Sequence, residues 1–223
     1  MVDIKKEELT IWSCARISSQ RCKNKMIREF AGSTLTDIFL DKLSKLEYNS
    51  FFSGYEDIFK KKCSKYNIRF QSRSKKSSEI DFPASEIYSF LNNVDTKYFL
   101  QINACLPLLR IDTINDFIDK ALKSDKPKFA VFKKNNYFID KESNPVNFDY
   151  KINTINTKQV EHVYEFAHVF YFFKKEYFVK NGWYWDWNDL EYITIPSSIE
   201  TFDIDTEEEF KTAEALYLSK NKV

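Results

Sequence analysis

The alternation of short apolar segments with amphipathic ones constrains the fold of this chain most. LTIWSCA at 9–15 has the composition of a buried strand, and STLTDIFLDKLSKL at 33–46 repeats its apolar residues at helical spacing. Strand followed by helix predicts a three-layer α/β sheet with right-handed crossovers. The pattern continues with a predicted helix at 54–66, a strand at 67–72, a helix at 85–94, a strand at 97–104 and a helix at 111–125 that Asp112 or Thr113 would cap.

The second half of the chain is richer in strands. KFAVFKKNNYFID at 128–140 predicts a hairpin that turns at Lys134, Asn135 and Asn136. We expect a single domain over 1–223, built on a mixed sheet, with a β-rich insertion at about 128–165. Further predicted elements are a strand and short helix over 168–182 that end at Gly182, a strand at 190–196 and a last helix capped by Thr206.

Charge and cysteine content exclude several classes of protein. The 34 Lys and Arg residues balance 33 Asp and Glu residues, for a net charge of +1, so no nucleic-acid partner is expected and any anion site must be local. Four scattered cysteines and two histidines do not form a zinc or disulfide pattern. The N-terminus lacks the apolar centre of a signal peptide, and no apolar run reaches the roughly 20 residues of a membrane span. A soluble protein in the reducing cytoplasm is expected.

The loop after the first predicted strand collects positive charge. Arg16, Arg21 and Lys25 would supply cationic donors and Ser19 a hydroxyl donor, a set that suits several phosphates. In open α/β sheets, ligands bind at the carboxyl ends of strands, where this loop would lie. The glycines of Walker and dinucleotide-binding loops are missing. A solvated surface loop is the alternative interpretation.

An acidic pair precedes the last predicted helix. In FDIDTEEEF at 202–210, Asp203 and Asp205 lie two residues apart, so on an extended chain their side chains point the same way. Two such carboxylates can hold Mg²⁺ or Mn²⁺. Acidic residues are also common before a helix because they interact favourably with its dipole, and this alternative stays open.

Other polar residues support weaker predictions. Gln101 and Asn103 could read a pyrimidine or a sugar through their amides, or could simply close a turn after the strand. Cys105 lies beside them without a visible acid or base partner, so we interpret it as a packing residue. His162 and His168 are left outside the catalytic set, since histidines at a sheet edge are more often structural or exposed.

The segment WYWDWND at 183–189 alternates three tryptophans. On a strand, Trp183, Trp185 and Trp187 would share one face. That face could line a sugar pocket, although core packing or a dimer contact is the more common use of such a surface.

One segment carries a family resemblance. ARISSQRCKNKMIREFAGSTL at 15–35 resembles the nucleotide-binding signature of the CMP-sugar synthetases, the acylneuraminate cytidylyltransferase family. Arg16, Ser19 and Lys25 fall on positions typical of the family. The chain departs from the family pattern at three positions: Ile17 and Ser18 stand where glycines are usual, and Met26 stands where asparagine is usual.

Three further segments resemble the same family in the correct order. QINACLPLLRIDTI at 101–114 is similar to its proline-containing loop, and TKQVEHVYEFAHVFYFFKKEYF at 157–178 to its late hairpin segment. Arg73 resembles an arginine near the nucleotide, although Ser74 replaces the usual proline. The Asp-Ile-Asp sequence at 203–205 and the helix after it match the family near the C-terminus.

The resemblance implies a fold and an activity. The fold would be a glycosyltransferase-A-like, Rossmann-like nucleotidyltransferase with a small dimerisation insertion, and the protein a homodimer without a nucleic-acid or membrane partner. The enzyme would use CTP and magnesium to convert an acidic sugar, a nonulosonate such as a sialic, legionaminic or pseudaminic acid, into its CMP derivative for surface glycans, with release of pyrophosphate. The catalytic residues would be Arg16, Lys25, Asp203 and Asp205, and the last two would hold the metal. The nucleotide would contact Ala15, Arg16, Ser19, Arg21, Lys25, Arg73, Gln101 and Asn103.

Two alternatives to this function stay open. The acceptor could be an octulosonate, another sugar derivative or a phosphonate. Alternatively, because a Cβ hinders the close approach of a backbone N–H to phosphate, the loss of two loop glycines could mark a relative that binds nucleotide or a partner without turnover.

Overall fold

A computed structural model describes residues 3–151 and 155–220 of the chain. Its strands form one seven-stranded sheet. They are β1 Leu9–Cys14, β2 Asn49–Gly54, β3 Arg69–Ser72, β4 Tyr98–Ile102, β5 Lys128–Lys134, β6 Val163–Lys174 and β7 Glu191–Thr194.

The strand order across the sheet is β3-β2-β1-β4-β6-β5-β7. The first four strands in this order are parallel, β6 runs antiparallel to both β4 and β5, and β7 is parallel to β5. The sheet is therefore mixed, as predicted. The loops after β1 and β4 leave the same edge of the sheet, at the carboxyl ends of neighbouring parallel strands.

Helices connect the strands and cover the sheet. They are α1 Leu35–Ser44, α2 Asp57–Lys65, α3 Lys75–Glu79, α4 Ala84–Ile87, α5 Ile111–Ala121, α6 Lys175–Asn181 and α7 Glu207–Lys220, with 3-10 turns at Lys6–Glu8, Ser89–Asn93 and Thr157–Gln159. Among the described residues, none of the helices combines the length and the apolar character that a membrane span requires.

Local sequence signals explain where several helices begin and end. The Thr34 hydroxyl accepts a hydrogen bond of 3.1 Å from the backbone N–H of Asp37 at the start of α1. Thr206 and Glu209 form the reciprocal bonds of a capping box at the start of α7, as predicted. Helix α6 ends at Gly182, whose φ of 69° is the left-handed conformation that glycine adopts without strain.

Apolar side chains fill both faces of the sheet. On β1, Ile11 belongs to the larger hydrophobic cluster and Trp12 to a second, aromatic cluster. Adjacent residues of a strand point to opposite faces, so the central strands are covered on both sides. This arrangement explains why β1 and β4, in the middle of the parallel part, read as mainly apolar segments.

The structure corrects four local predictions. Strand β2 at Asn49–Gly54 was not predicted, although it pairs with both β1 and β3. The hairpin over 128–140 is wrong, because β5 pairs with the distant β6 and with β7. The predicted helix at 85–94 is split into α4 and a 3-10 turn. Neither Asp112 nor Thr113 caps α5, which follows Arg110 without a side-chain cap.

Candidate active site

The basic loop after β1 forms one wall of a cleft of about 750 Å³. Residues between 73 and 88 also line this cleft, as do Cys105 and Asp205. We call this space the cationic cleft. Seven residues predicted from sequence line it: Ala15, Arg16, Ser19, Arg21, Lys25, Arg73 and Asp205.

Backbone contacts hold the start of the basic loop. The N–H of Ala15 donates to the Ser53 carbonyl at 3.1 Å, which extends the pairing of β1 with β2. The Ala15 carbonyl accepts a bond of 2.8 Å from the guanidinium of Arg73, a residue only 7% exposed. Arg73 therefore positions the loop, in addition to lining the cleft.

Two backbone N–H groups of the loop are bonded within the protein, so a ligand in the cleft would contact mainly side chains. The N–H of Ile17 donates to the Glu56 carboxylate at 3.1 Å, and the N–H of Ser19 donates to the Ile17 carbonyl at 2.7 Å. The Ile17 side chain packs against the larger hydrophobic cluster, whereas Ser18 lines the cleft. The isoleucine that replaces a glycine thus does not fill the cleft.

Lys25 and Arg21 meet the acidic pair. The Lys25 amine lies 3.1 Å from one oxygen of Asp205, and the Arg21 guanidinium lies 2.9 Å from the other. Lys25 also donates to the Ile204 carbonyl, and its side chain is 12% exposed. Burial lowers the pKa of Lys25, but the contacts with Cys105, Asp205 and Asp203 outweigh this effect and raise it. Lys25 is therefore a fixed cation at neutral pH.

Asp203 lies beside these ion pairs, and one of its carboxylate oxygens is buried. One of its oxygens accepts a bond of 3.2 Å from the Asn103 amide. The other is buried and has no hydrogen-bond partner within residues 3–151 and 155–220. Burial is the main cause that raises the pKa of Asp203, and the neighbouring Asp205 adds to it, while Lys25 lowers it.

A second space, which we call the aromatic cavity, adjoins the cationic cleft. Its volume is about 760 Å³, and Asp81, Ile87 and Tyr88 line both spaces. Arg16 forms an ion pair of 2.7 Å with Asp81 at this boundary. Other residues that line the cavity are Phe82, Pro83, Ala84, Gln101, Phe166, His168, Tyr171, Gly182, Trp183, Tyr184, Trp185 and Trp187.

The three tryptophans line the aromatic cavity without forming a strand. Trp185 is 2% exposed and belongs to the aromatic core, whereas Trp183 is 40% and Trp187 61% exposed. Because 183–189 has no strand structure, the prediction that these residues share one strand face is wrong. Contacts between their rings, with centroids 6.4 and 5.7 Å apart, join them into one aromatic wall.

Gln101 and Asn103, the two residues predicted to contact the substrate through their amides, lie in different places. Gln101 lines the aromatic cavity, where its carbonyl oxygen accepts a bond of 3.0 Å from the Tyr184 hydroxyl, and Asn103 contacts Asp203. Cys105 lines the cationic cleft, and burial raises the pKa of its thiol to about 12. Sequence reasoning did not find Asp81 or Tyr88, because no motif marks the segment that brings them to the boundary.

Comparisons with known proteins agree with this arrangement. The sequence profile of a family described as Cytidylyltransferase matches residues 14–222. No curated protein sequence is significantly similar to the chain.

Two solved structures share the fold. CMP:2-keto-3-deoxy-manno-octonic acid synthetase, in complex with CTP, matches with a TM-score of 0.65 at 8% identity, over 96% of this chain and 99% of that one. The 4-diphosphocytidyl-2C-methyl-D-erythritol synthase of Anaerococcus prevotii DSM 20548 matches with a TM-score of 0.65 at 17% identity, over 96% of this chain and 97% of that one. The predicted α/β nucleotidyltransferase fold is confirmed.

Proposed function

Because this chain belongs to the cytidylyltransferase family, as its resemblance predicted, we propose that it transfers CMP from CTP to a hydroxyl group of an acidic sugar. The sugar oxygen attacks the α-phosphorus, the bond to the β-phosphate oxygen breaks, and pyrophosphate leaves. A nonulosonate is the acceptor that we propose first, and a CMP-activated sugar for surface glycans is the product.

One observation carries this proposal. Lys25 and Asp205, far apart in the sequence, meet in a cleft that Arg16, Arg21 and Arg73 also line. A triphosphate brings several negative charges, and a cluster of guanidinium and ammonium groups is the side-chain chemistry that binds it. In a solvated surface loop the Lys25 amine would contact water, whereas here it donates to the Ile204 carbonyl and to Asp205.

The cationic residues have separate roles in this proposal. Lys25, fixed beside the acidic pair, offsets the charge that builds on the transferred phosphate, and Arg21 and Arg16 offset the charge on the leaving pyrophosphate. Ser19 adds a hydroxyl donor to a phosphate oxygen. Arg73 keeps Ala15 in position through its bond to the Ala15 carbonyl.

Asp203 has an oxygen that suits a divalent cation, whereas Asp205 would have to exchange its contacts with Lys25 and Arg21 for the metal. The buried oxygen of Asp203 has no partner in the described part of the chain, and hard carboxylate oxygens suit Mg²⁺ or Mn²⁺. No group of three or more His, Cys, Asp or Glu side chains gathers within the described ranges, so Asp203 and Asp205 would share the ion with substrate phosphates and water. When bound, magnesium would polarise the phosphate oxygens and acidify the attacking hydroxyl.

The aromatic cavity is our proposed site for the acceptor. It opens beside the cleft, and rings such as Trp187 and Trp183 offer the apolar faces on which sugar rings and acyl groups stack. No lysine or arginine lines the described walls of this cavity, and Arg16 contacts Asp81 at its boundary with the cationic cleft. The homodimer, the limits of the β-rich insertion and the cytoplasmic location stay predictions.

A thermal-shift screen tests the nucleotide first. Purified protein is melted with CTP, UTP, ATP or GTP, each with and without magnesium, because a ligand of the native state raises the melting temperature by mass action. A rise that is selective for CTP and larger with magnesium is expected. No rise with any nucleotide would contradict the proposal and favour a degenerate relative that binds a partner.

Pyrophosphate release then tests transfer and identifies the acceptor. The enzyme, CTP and magnesium are incubated with N-acetylneuraminate, 3-deoxy-manno-octulosonate or 2-C-methylerythritol 4-phosphate. Release with N-acetylneuraminate alone supports the first candidate, and release with octulosonate alone or with methylerythritol phosphate alone supports a different acceptor class. CTP binding without release in the presence of any acceptor would support the degenerate alternative.

A further inference from the structure

We propose that His168 is the base that accepts the proton of the attacking acceptor hydroxyl. This inference rests on the proposed function and adds a residue to it.

The backbone at His168 departs from regular strand geometry. Phe166 pairs with Val131 and Tyr171 with Phe129, so the pairing of β6 with β5 is interrupted by a bulge that contains His168. There His168 has a φ of 48°, a left-handed conformation that few residues other than glycine adopt. Such strained positions are concentrated at functional sites, where the surrounding structure enforces them.

The bulge lies next to the acidic pair. Val169 accepts a bond of 3.0 Å from the N–H of Asn103, and the His168 carbonyl accepts one of 3.4 Å from the Asn103 side chain. The same side-chain amide donates to Asp203 at 3.2 Å. A single amide group therefore joins the backbone of His168 to the carboxylate proposed to hold the metal.

The His168 ring faces the proposed acceptor site. It is exposed to the aromatic cavity, and its Nδ1 lies 3.1 Å from the Tyr171 hydroxyl. Burial raises the pKa of Tyr171, so its phenol stays neutral and can accept a bond from Nδ1–H. In that tautomer Nε2 carries the lone pair, and among the described residues Nε2 has no hydrogen-bond partner.

Several other ionisable groups around the two spaces are poor proton acceptors. The Cys105 thiol and the Lys25 amine both have raised pKa values and stay protonated at neutral pH. Asp205 is paired with Arg21 and Lys25. The remaining ionisable groups that line the aromatic cavity are Asp81, which Arg16 holds, and the phenols of Tyr88, Tyr171 and Tyr184, whose pKa values burial raises. A neutral imidazole has a basic ring nitrogen and is a common general base, so His168 is suited to the task.

In the proposed step, the acceptor O–H bond breaks and its proton moves to Nε2 of His168. At the same time, the acceptor oxygen forms a bond to the α-phosphorus of CTP. The bond from that phosphorus to the β-phosphate oxygen breaks, and pyrophosphate leaves with the electron pair. His168, then an imidazolium, returns its proton to solvent through the open cavity.

The two histidines of the chain allow a direct test by proton NMR. Their imidazole resonances are titrated with and without CTP and magnesium, and are assigned with His162→Asn and His168→Asn. His162 is a matched control, because its Nε2 lies 3.2 Å from the Tyr164 hydroxyl and it lines neither space. We expect the bound triphosphate to shift the imidazole resonance of His168 and to leave that of His162 unchanged.

The outcomes separate this inference from the proposed function. Perturbed amides in the basic loop with an unperturbed His168 would overturn the role of His168 and leave CTP binding intact. An unchanged spectrum throughout would overturn the proposed function, and this inference with it. The result does not depend on the identity of the acceptor.

Kinetics give the second readout with any acceptor that supports pyrophosphate release. His168→Asn is the suitable variant, because asparagine tolerates the left-handed backbone but provides no basic nitrogen. We expect kcat to fall about 10²- to 10⁴-fold, the acidic limb of the pH profile to disappear, and the KM for CTP to stay unchanged. An unchanged kcat and pH profile would overturn the proposal.

Discussion

Lys25 and Asp205 lie 3.1 Å apart although 180 positions separate them in the sequence. Their contact joins the basic loop after β1 to the segment before α7. Arg28 and Glu207 strengthen the same junction with two hydrogen bonds of 2.8 Å. The first and last parts of the chain therefore assemble one site, and residues on either side can be tested separately.

Replacing Lys25 with methionine tests the proposed phosphate contact. The variant keeps the apolar stem and removes the charge, so we expect the Kd for CTP to rise about 10- to 100-fold, a loss of roughly 1.4–2.7 kcal/mol. Calorimetric titration with CTP and magnesium measures it. Lys23→Met is the matched control, since Lys23 is exposed in the same loop and does not line the cleft. Equal affinities of the two variants would contradict the role of Lys25.

Replacing Asp203 with asparagine has opposite effects on stability and on metal use. Burial raises the pKa of Asp203, so the folded state holds the proton more tightly than the unfolded chain, and ionised Asp203 costs stability at neutral pH. We expect Asp203→Asn to melt at a higher temperature without ligand, by roughly 2–4 °C per kcal/mol gained. The magnesium-dependent part of the CTP thermal shift should be lost. A variant that keeps this magnesium effect would rule out Asp203 as a ligand.

Lys42 should make stability depend on pH in the alkaline range. Its amine donates to the carbonyls of Leu106 and Pro107, and burial lowers its pKa to about 7. Between pH 7 and about 10.5 the unfolded chain binds this proton and the folded chain does not, so stability should rise with pH by up to about 1.4 kcal/mol per unit.

Urea unfolding of wild type and Lys42→Met at several pH values measures this contribution. Other groups titrate equally in both proteins, so the difference between the two curves isolates Lys42. A difference that stays constant from pH 7 to 10 would show that the amine keeps its ordinary pKa in the folded protein.

Trp187→Ala tests the proposed acceptor site. Trp187 is exposed and lines the aromatic cavity, so its removal should leave the fold and CTP binding intact and raise the KM for the acceptor about tenfold, the loss of one stacking contact. Steady-state pyrophosphate release measures both parameters. Tyr192→Ala provides the comparison, because Tyr192 is an exposed aromatic residue outside the cavity. A tenfold change in both variants would indicate a general effect on the sheet.

Local patterns predicted the central elements but missed long-range pairing. β1 and α1 carry enough apolar residues at regular spacing to be identified alone. β2 contains only Phe51 and Phe52 as apolar residues, between serines, and its central position depends on neighbours that the local sequence does not reveal. The false hairpin after Lys128 has the same origin, since the partner of β5 lies beyond residue 160.

The candidate site was predicted unevenly for a comparable reason. The cations between Arg16 and Lys25 can be recognised from the sequence because several fall in one short segment. The strand topology predicts that this segment lies at the carboxyl ends of the parallel strands. Asp81 and His168 reach the site through an ion pair and a left-handed bulge. Neither feature has a local sequence signature, because each depends on segments that meet only in the folded protein.

The hydrogen bonds of Ile17 and Ser19 have a consequence for the evolution of this site. With those two backbone amides already engaged, the proposed nucleotide binding would depend more on side-chain cations such as Arg21. Interactions of exposed charges weaken as ionic strength rises, with a screening length of about 8 Å at physiological salt. Under the proposed function, point mutations of individual cations would therefore adjust nucleotide affinity gradually, without rebuilding the turn, and this affinity would fall as the salt concentration rises.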